Sequence, residues 1–210
     1  MFCYTISMTK KFFIVAACAF ALGFLMFIGL RFVLVKNNDV HYHANFGLFV
    51  DGKRDMFSNF SFYEEIAACS TGGEDNPKHN IHMHDNKFDV VHVHAHGATW
   101  GGFFTNLGYT LGNKVLVTQD GTFVDGQDGK KLQFILNGEP VQTVQGRLIK
   151  SADTLMVSFG NEDAKALQAE YKQIDRSADS YNHTADPAAC SGAHTLDFKT
   201  RLKRAFNFSN

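Results

Sequence analysis

Hydrophobic and polar positions divide the chain into three regimes. From Phe12 to Leu30 the sequence reads FFIVAACAFALGFLMFIGL, nineteen residues without a charge. At 1.5 Å per residue this run reaches about 28 Å, the thickness of a bilayer's hydrocarbon core, and predicts a transmembrane helix. Ala19-Phe20-Ala21 matches a loose signal-cleavage site and Val15-Ala16-Ala17-Cys18 resembles a lipobox. The apolar run continues twelve residues past Cys18, however, and it exceeds the usual h-region of a signal peptide, which favours an uncleaved anchor.

Beyond the anchor the period becomes two. VHYHANFGLFV, from Val40 to Val50, alternates as a strand does, and Asp51-Gly52 predicts a turn that doubles the chain back through Lys53 to Phe57. SFYEEIAAC, from Ser61 to Cys69, reads as a short helix, and Thr71 to Asn80 as a loop. IHMHDNKFDVVHVHAH, from Ile81 to His96, reads as two strand-like runs about a turn at 85–89. Thr99 then offers an N-cap, with Trp100, Phe103, Phe104 and Leu107 at helical spacing and Gly108 as the stop. KVLVT, KLQFIL and DTLMVSFG are strands separated by Asp-Gly turns and by Asn137-Gly138, the clearest hairpin signal in this half. The third regime starts at Asn161, which caps a charged helical stretch to about Ser177. It ends with the amphipathic run LDFKTRLKRAF, whose expected place is against the parent domain.

These elements predict an α+β fold. A mainly antiparallel sheet, β-grasp-like or a small barrel, carries one or two covering helices behind an N-terminal transmembrane helix. The expected organisation is an anchor over 1–37, a histidine-rich sheet domain over 38–160 and a helical C-terminal extension over 161–210. With only about ten residues before the span and the whole domain after it, the expected topology is a single-pass signal anchor with the soluble domain on the extracytoplasmic side. Lys10 and Lys11 before the span nearly cancel Arg31 and Lys36 after it. Two cysteines, Cys69 and Cys190, remain in the soluble part and read either as one disulfide or as two free thiols, while the lack of a C-x-x-C pattern disfavours a metal ligand.

A formal net charge of -1 and a pI near 6.8 provide no basic field, which argues against a nucleic-acid partner. The distinctive chemistry is histidine. Five of the ten histidines, His82, His84, His92, His94 and His96, fall within sixteen residues at two-residue spacing, and His41 and His43 repeat that spacing on the first strand. On a strand this spacing puts each run on one face. The two hairpin runs share a face only if paired residue numbers sum to an even value, for example His84 with His92 and His82 with His94.

Three or four converging imidazoles bind Zn(II) or Cu(II) without any carboxylate, so the expected function is divalent transition-metal binding, with His82, His84, His92 and His94 as the first ligands and His41, His43 and His96 as further candidates. Met83 lies between two histidines but points to the opposite face and reads as core. Two other readings stand beside this one: a zinc-dependent hydrolase, and a pH-responsive domain without metal. No G-x-S-x-G, H-E-x-x-H, P-loop or dinucleotide fingerprint is present, and Asp85, Asp89, Glu64, Glu65 and Glu74 are undistinguished as general bases. HYHANFGLFVDGK, HMHDNKFDVVHVHAHGATWGGFFTNLG, FILNGEPV and DTLMVSFG resemble segments of uncharacterised, single-span membrane-anchored His-rich proteins of archaea and candidate-phylum bacteria. That resemblance implies a prokaryotic source and no particular activity.

Overall fold

A computed structural model describes residues 3–35, 40–63, 77–83, 87–183 and 198–207. The described residues belong to two units.

The first unit contains α1 (Cys3–Leu34), of which Lys10–Leu34 is long and apolar enough to cross a membrane. At 1.5 Å per residue those 25 residues span about 37 Å, somewhat more than the hydrocarbon core. The C-terminal helix of the chain, Phe198–Phe206, belongs to this same unit, in contrast to the expected packing on the sheet domain.

The second unit is α+β. Among the described residues its main sheet has seven strands: β1 (Tyr42–Val50), β2 (Lys53–Arg54), β3 (Ile81–His82), β4 (Val90–Val93), β8 (Lys131–Leu136), β9 (Glu139–Val141) and β10 (Thr154–Gly160). The spatial order is β3-β4-β1-β10-β8-β9, with β2 also paired to β1. Among the described strands β1 and β10 pair in parallel and the other pairs are antiparallel. A small antiparallel sheet is formed by β5 (Thr110–Leu111), β6 (Val115–Val117) and β7 (Thr122–Val124).

β1 is the central strand, and it is buried on both faces. Ala44, Phe46 and Leu48 face a large core with Val91, Val93, Leu155 and Val157, which the helix α3 (Trp100–Asn106) covers through Trp100, Phe103 and Phe104. Thr99 caps α3 by accepting from Gly102 N, and Gly108, at φ +78°, follows its end, as the sequence signals predict. The two predicted hairpin turns also form. Asp51-Gly52 joins β1 to β2 and Asn137-Gly138 joins β8 to β9, all four residues at positive φ.

The opposite face of β1 presents His43, Asn45, Gly47 and Phe49. Phe49 joins Met156 and Ile135 under α4 (Ala164–Tyr171), together with Leu167, Tyr171 and Ile174. Gly47 is required by close approach, because a Cβ there would stand 2.8 Å from Ile174 Cγ1. Further along this face, Asn45 Oδ1 accepts from Ala178 N at the start of α5 (Ala178–His183). Residues 164–183, placed by sequence in a C-terminal extension, therefore form the second cover of the sheet.

Several local expectations are corrected. The cap of α4 is Asp163, which accepts from Ala166 N, and not Asn161; the helix stops at Tyr171, so that Ile174 can seat on Gly47. Phe60–Phe62 is a single 3-10 turn, and Tyr63 bridges Met83 as extended chain, so no α-helix runs through 61–63; residues 64–69 lie outside the described residues. Pro77–Asn80, expected as loop, forms the one-turn helix α2, which leads directly into β3. Cys69 and Cys190 both lie outside the described residues.

Candidate metal centre

The histidines stand on the second face of the sheet, along the edge strand β3, its neighbour β4 and the central strand β1. The parity condition is met by a register two residues away from the one anticipated: His82 pairs with His92, not His94, and His92 in turn pairs with His43 of β1. These three form one transverse row. Tyr42 opposite Val93 carries the antiparallel register on to His41 and His94, whose rings stack at 4.7 Å with 26° between their planes. His94 also stacks on His82, at 5.0 Å and 14°.

One ring nitrogen from each of His41, His92 and His94 lies within 4.8 Å of the other two. Ligands at about 2.0–2.1 Å in a tetrahedral zinc site stand roughly 3.3 Å apart, so each nitrogen needs to move inward by less than about 1 Å. Side-chain rotation covers such a distance without moving the strands. Met83 is fully buried in the opposite core, as its place between two histidines predicts.

The remaining predicted ligands have different positions. His82, 4% exposed, donates from Nδ1 to Lys78 O at 2.8 Å, which leaves Nε2 as the lone-pair nitrogen of the neutral ring beside the triad. His96 does not join the cluster. β4 ends at Val93, and the chain turns through Gly97 at φ +78°, leaving His96 exposed in that turn, where the strand alternation no longer holds. His84 lies outside the described residues.

His43 has a supporting position, and the residue that orients it comes from far along the chain. Asn182 on α5 accepts at Oδ1 from the His43 backbone N–H (2.7 Å) and from its ring Nδ1 (2.9 Å), while Asn182 Nδ2 donates to Ser151 Oγ. A carbonyl oxygen accepts only, so His43 Nδ1 carries the proton and neutral His43 accepts at Nε2. Its partner there is His92 Nδ1, 3.0 Å away. His92 therefore donates from Nδ1, and Nε2 is the nitrogen it presents to a ligand. This arrangement, a ligand imidazole held by a hydrogen bond on its other nitrogen, is the usual support of a metal-bound histidine. Tyr181 flanks it, 5.6 Å from His43 and 6.5 Å from His92 between ring centres. Neither Asn182 nor Tyr181 carries a sequence signal, because 139 residues separate Asn182 from His43 and no motif spans them.

Within the cluster His43, His82 and His92 are buried, at 0%, 4% and 2% exposed, and His41 and His94 are half-buried, so not all of it faces solvent. Nor does any carboxylate among the described residues join the group. Asp89, one of the five carboxylates named from sequence, is buried and pairs with Arg54 at 3.4 Å; the other four lie outside the described residues. Tyr42, between His41 and His43 in sequence, points to the other face and donates to Ile149 O. Burial, then the charge of Asp153, raises its pKa and keeps it a neutral phenol. No protein-family model, curated protein or solved structure matches this chain.

Proposed function

We propose that this protein is a membrane-anchored module that binds one divalent transition metal through His41, His92 and His94, with His82 as the fourth donor or as a gate to an open position. The observation that carries the reading is the mutual 4.8 Å approach of three ring nitrogens supplied by two adjacent strands. An all-imidazole set with its thioether neighbour, Met83, turned away favours Zn(II) or Cu(II) over Cu(I). Rigid central strands and the oriented His92 ring support tight binding, since little ordering remains to be done when the ion enters. The domain is proposed to stand on the extracytoplasmic side of the membrane that Lys10–Leu34 is long and apolar enough to cross.

The test is metal analysis of the full-length protein after exposure to Zn(II) and to Cu(II), beside a His92→Ala/His94→Ala variant. About one ion per chain, lost in the variant, is expected. The absence of stoichiometric metal from a folded wild-type chain overturns the reading. His82 separates a binding module from a hydrolase. If His82→Ala leaves the ion bound and opens a water-filled coordination position, three ligands suffice and hydrolytic chemistry becomes accessible. If His82→Ala releases the ion, the site is closed and structural.

A further inference from the structure

The second unit's chemistry leaves the first unit unexplained. Its short helix Phe198–Phe206, here α6, repeats apolar residues every fourth position, Phe198, Leu202 and Phe206, and these are 70%, 38% and 48% exposed. A helix on a soluble domain turns such a stripe inward. Here another side makes most of the contact with α1, and of the stripe Phe198 alone is seen to share in it. Ala205 is fully buried, Arg201 Nη2 donates to Phe32 O and Val33 O at 3.0 and 3.3 Å, and the Arg201 guanidinium lies 4.8 Å over the Phe32 ring. Arg31 Nη2 donates in return to Asn207 O at 2.7 Å, and the Phe198 and Phe32 rings meet at 5.3 Å.

These bonds hold α6 at residues 31–33 of α1, where the 25-residue apolar segment is ending. A spanning helix fixes the depth of its own ends, so anything bonded to its last carbonyls is fixed at the boundary between acyl chains and headgroups. At that depth an exposed Phe-Leu-Phe stripe has an apolar medium beside it. The same nine residues carry Lys199, Arg201, Lys203 and Arg204 and no acidic side chain. Arg201 serves α1, while Lys199 and Lys203 are exposed and Arg204 is partly so.

We propose that α6 is an interfacial helix. Leu202 and Phe206, with the exposed part of Phe198, enter the outer acyl region, and Lys199 and Lys203 rest on anionic lipid headgroups. A free nine-residue helix would bind a bilayer weakly, because its folding and its capture both cost entropy. Attachment to α1 removes most of that cost by holding α6 permanently at the surface.

The full-length protein in nanodiscs tests this directly, with tryptophan at Leu202 or, as a second reporter, at Phe206. The chain's own Trp100 is fully buried within the β unit and provides the constant background. Brominated lipids are expected to quench about half or more of the added emission, since the helix sits about 5–10 Å into the interface. Anionic lipid should deepen the quenching. Lys199→Glu/Lys203→Glu should reverse it, each cation being worth about fivefold in bound population. Water-like, unquenched emission from both reporters overturns the proposal. Quenching that is indifferent to lipid charge and to the double reversal overturns the assignment to anionic headgroups. Emission shielded from both water and lipid overturns it in favour of a second copy of the chain.

Discussion

The two faces of β1 are built on different principles. One face, Ala44, Phe46 and Leu48, looks into a core of ring against ring, where Phe46 meets Phe57, Phe103 and Phe104 at 5.2, 4.7 and 6.2 Å. The other passes from His43 through Asn45 and Gly47 to Phe49, grading from imidazole to apolar within seven residues. The first face is non-directional: any well-packed apolar set of similar volume would serve. The second depends on direction, since Asn182 must present an oxygen and His43 a proton. Stability therefore resides mainly on the aromatic face and specificity on the histidine face, and each can be perturbed separately.

The largest expected effect lies on the aromatic face. Phe46→Ala removes a fully buried ring and should cost about 3–5 kcal/mol in chemical denaturation. If the faces are separable, whatever fraction remains folded should still load metal. Next comes the histidine face itself. An ion at a hundred times its Kd should add about 2.7 kcal/mol to wild-type stability and nothing to His92→Ala/His94→Ala, as read from melting with and without Zn(II). An equal gain in both proteins would assign the ion elsewhere.

Asn182→Ala tests direction alone. Without its acceptor, His43 no longer holds one tautomer, and metal affinity should fall about 10–100-fold by competition titration while the aromatic core stays intact. Unchanged affinity would show that the Asn182–His43–His92 chain is only structural. The smallest effect lies at the far end of the same face, where Ser158 Oγ donates to the buried carboxylate of Glu170. Burial, aided by the charge of Glu162 and opposed by the Ser158 bond, raises the pKa of Glu170. The folded state then holds a proton that the unfolded state has released. Stability consequently falls as pH rises from the ordinary carboxylate range toward the raised value. Glu170→Gln should remove that fall and gain on the order of 1 kcal/mol near neutral pH, seen as a flatter profile of denaturation midpoint against pH.

Much of this was open to reading in the sequence where the cause is local. Asp51-Gly52 and Asn137-Gly138 adopt the positive φ angles that tight hairpins need, Thr99 caps the helix it precedes, and the charge-free run at the N-terminus forms a long helix. The histidine spacing also kept its meaning, in that a shift of two residues from the anticipated register left the shared face intact. Local signals failed at ends and breaks. Nothing around Ala95 announces that β4 stops at Val93 and takes His96 out of alternation, and Asn161 looks as good a cap as Asp163.

What the sequence determined by itself was which side chains could share a face, because side-chain alternation is a property of one strand's backbone and needs no partner. Only the tertiary structure decided which of them meet. The pairing of His82 with His92, the approach of His41 to His94, and the arrival of Asn182 beneath His43 all depend on contacts between separate segments, the last of them 139 residues apart. Those contacts are set by how three strands and two helices bury their surfaces together, and no spacing within one segment records that outcome.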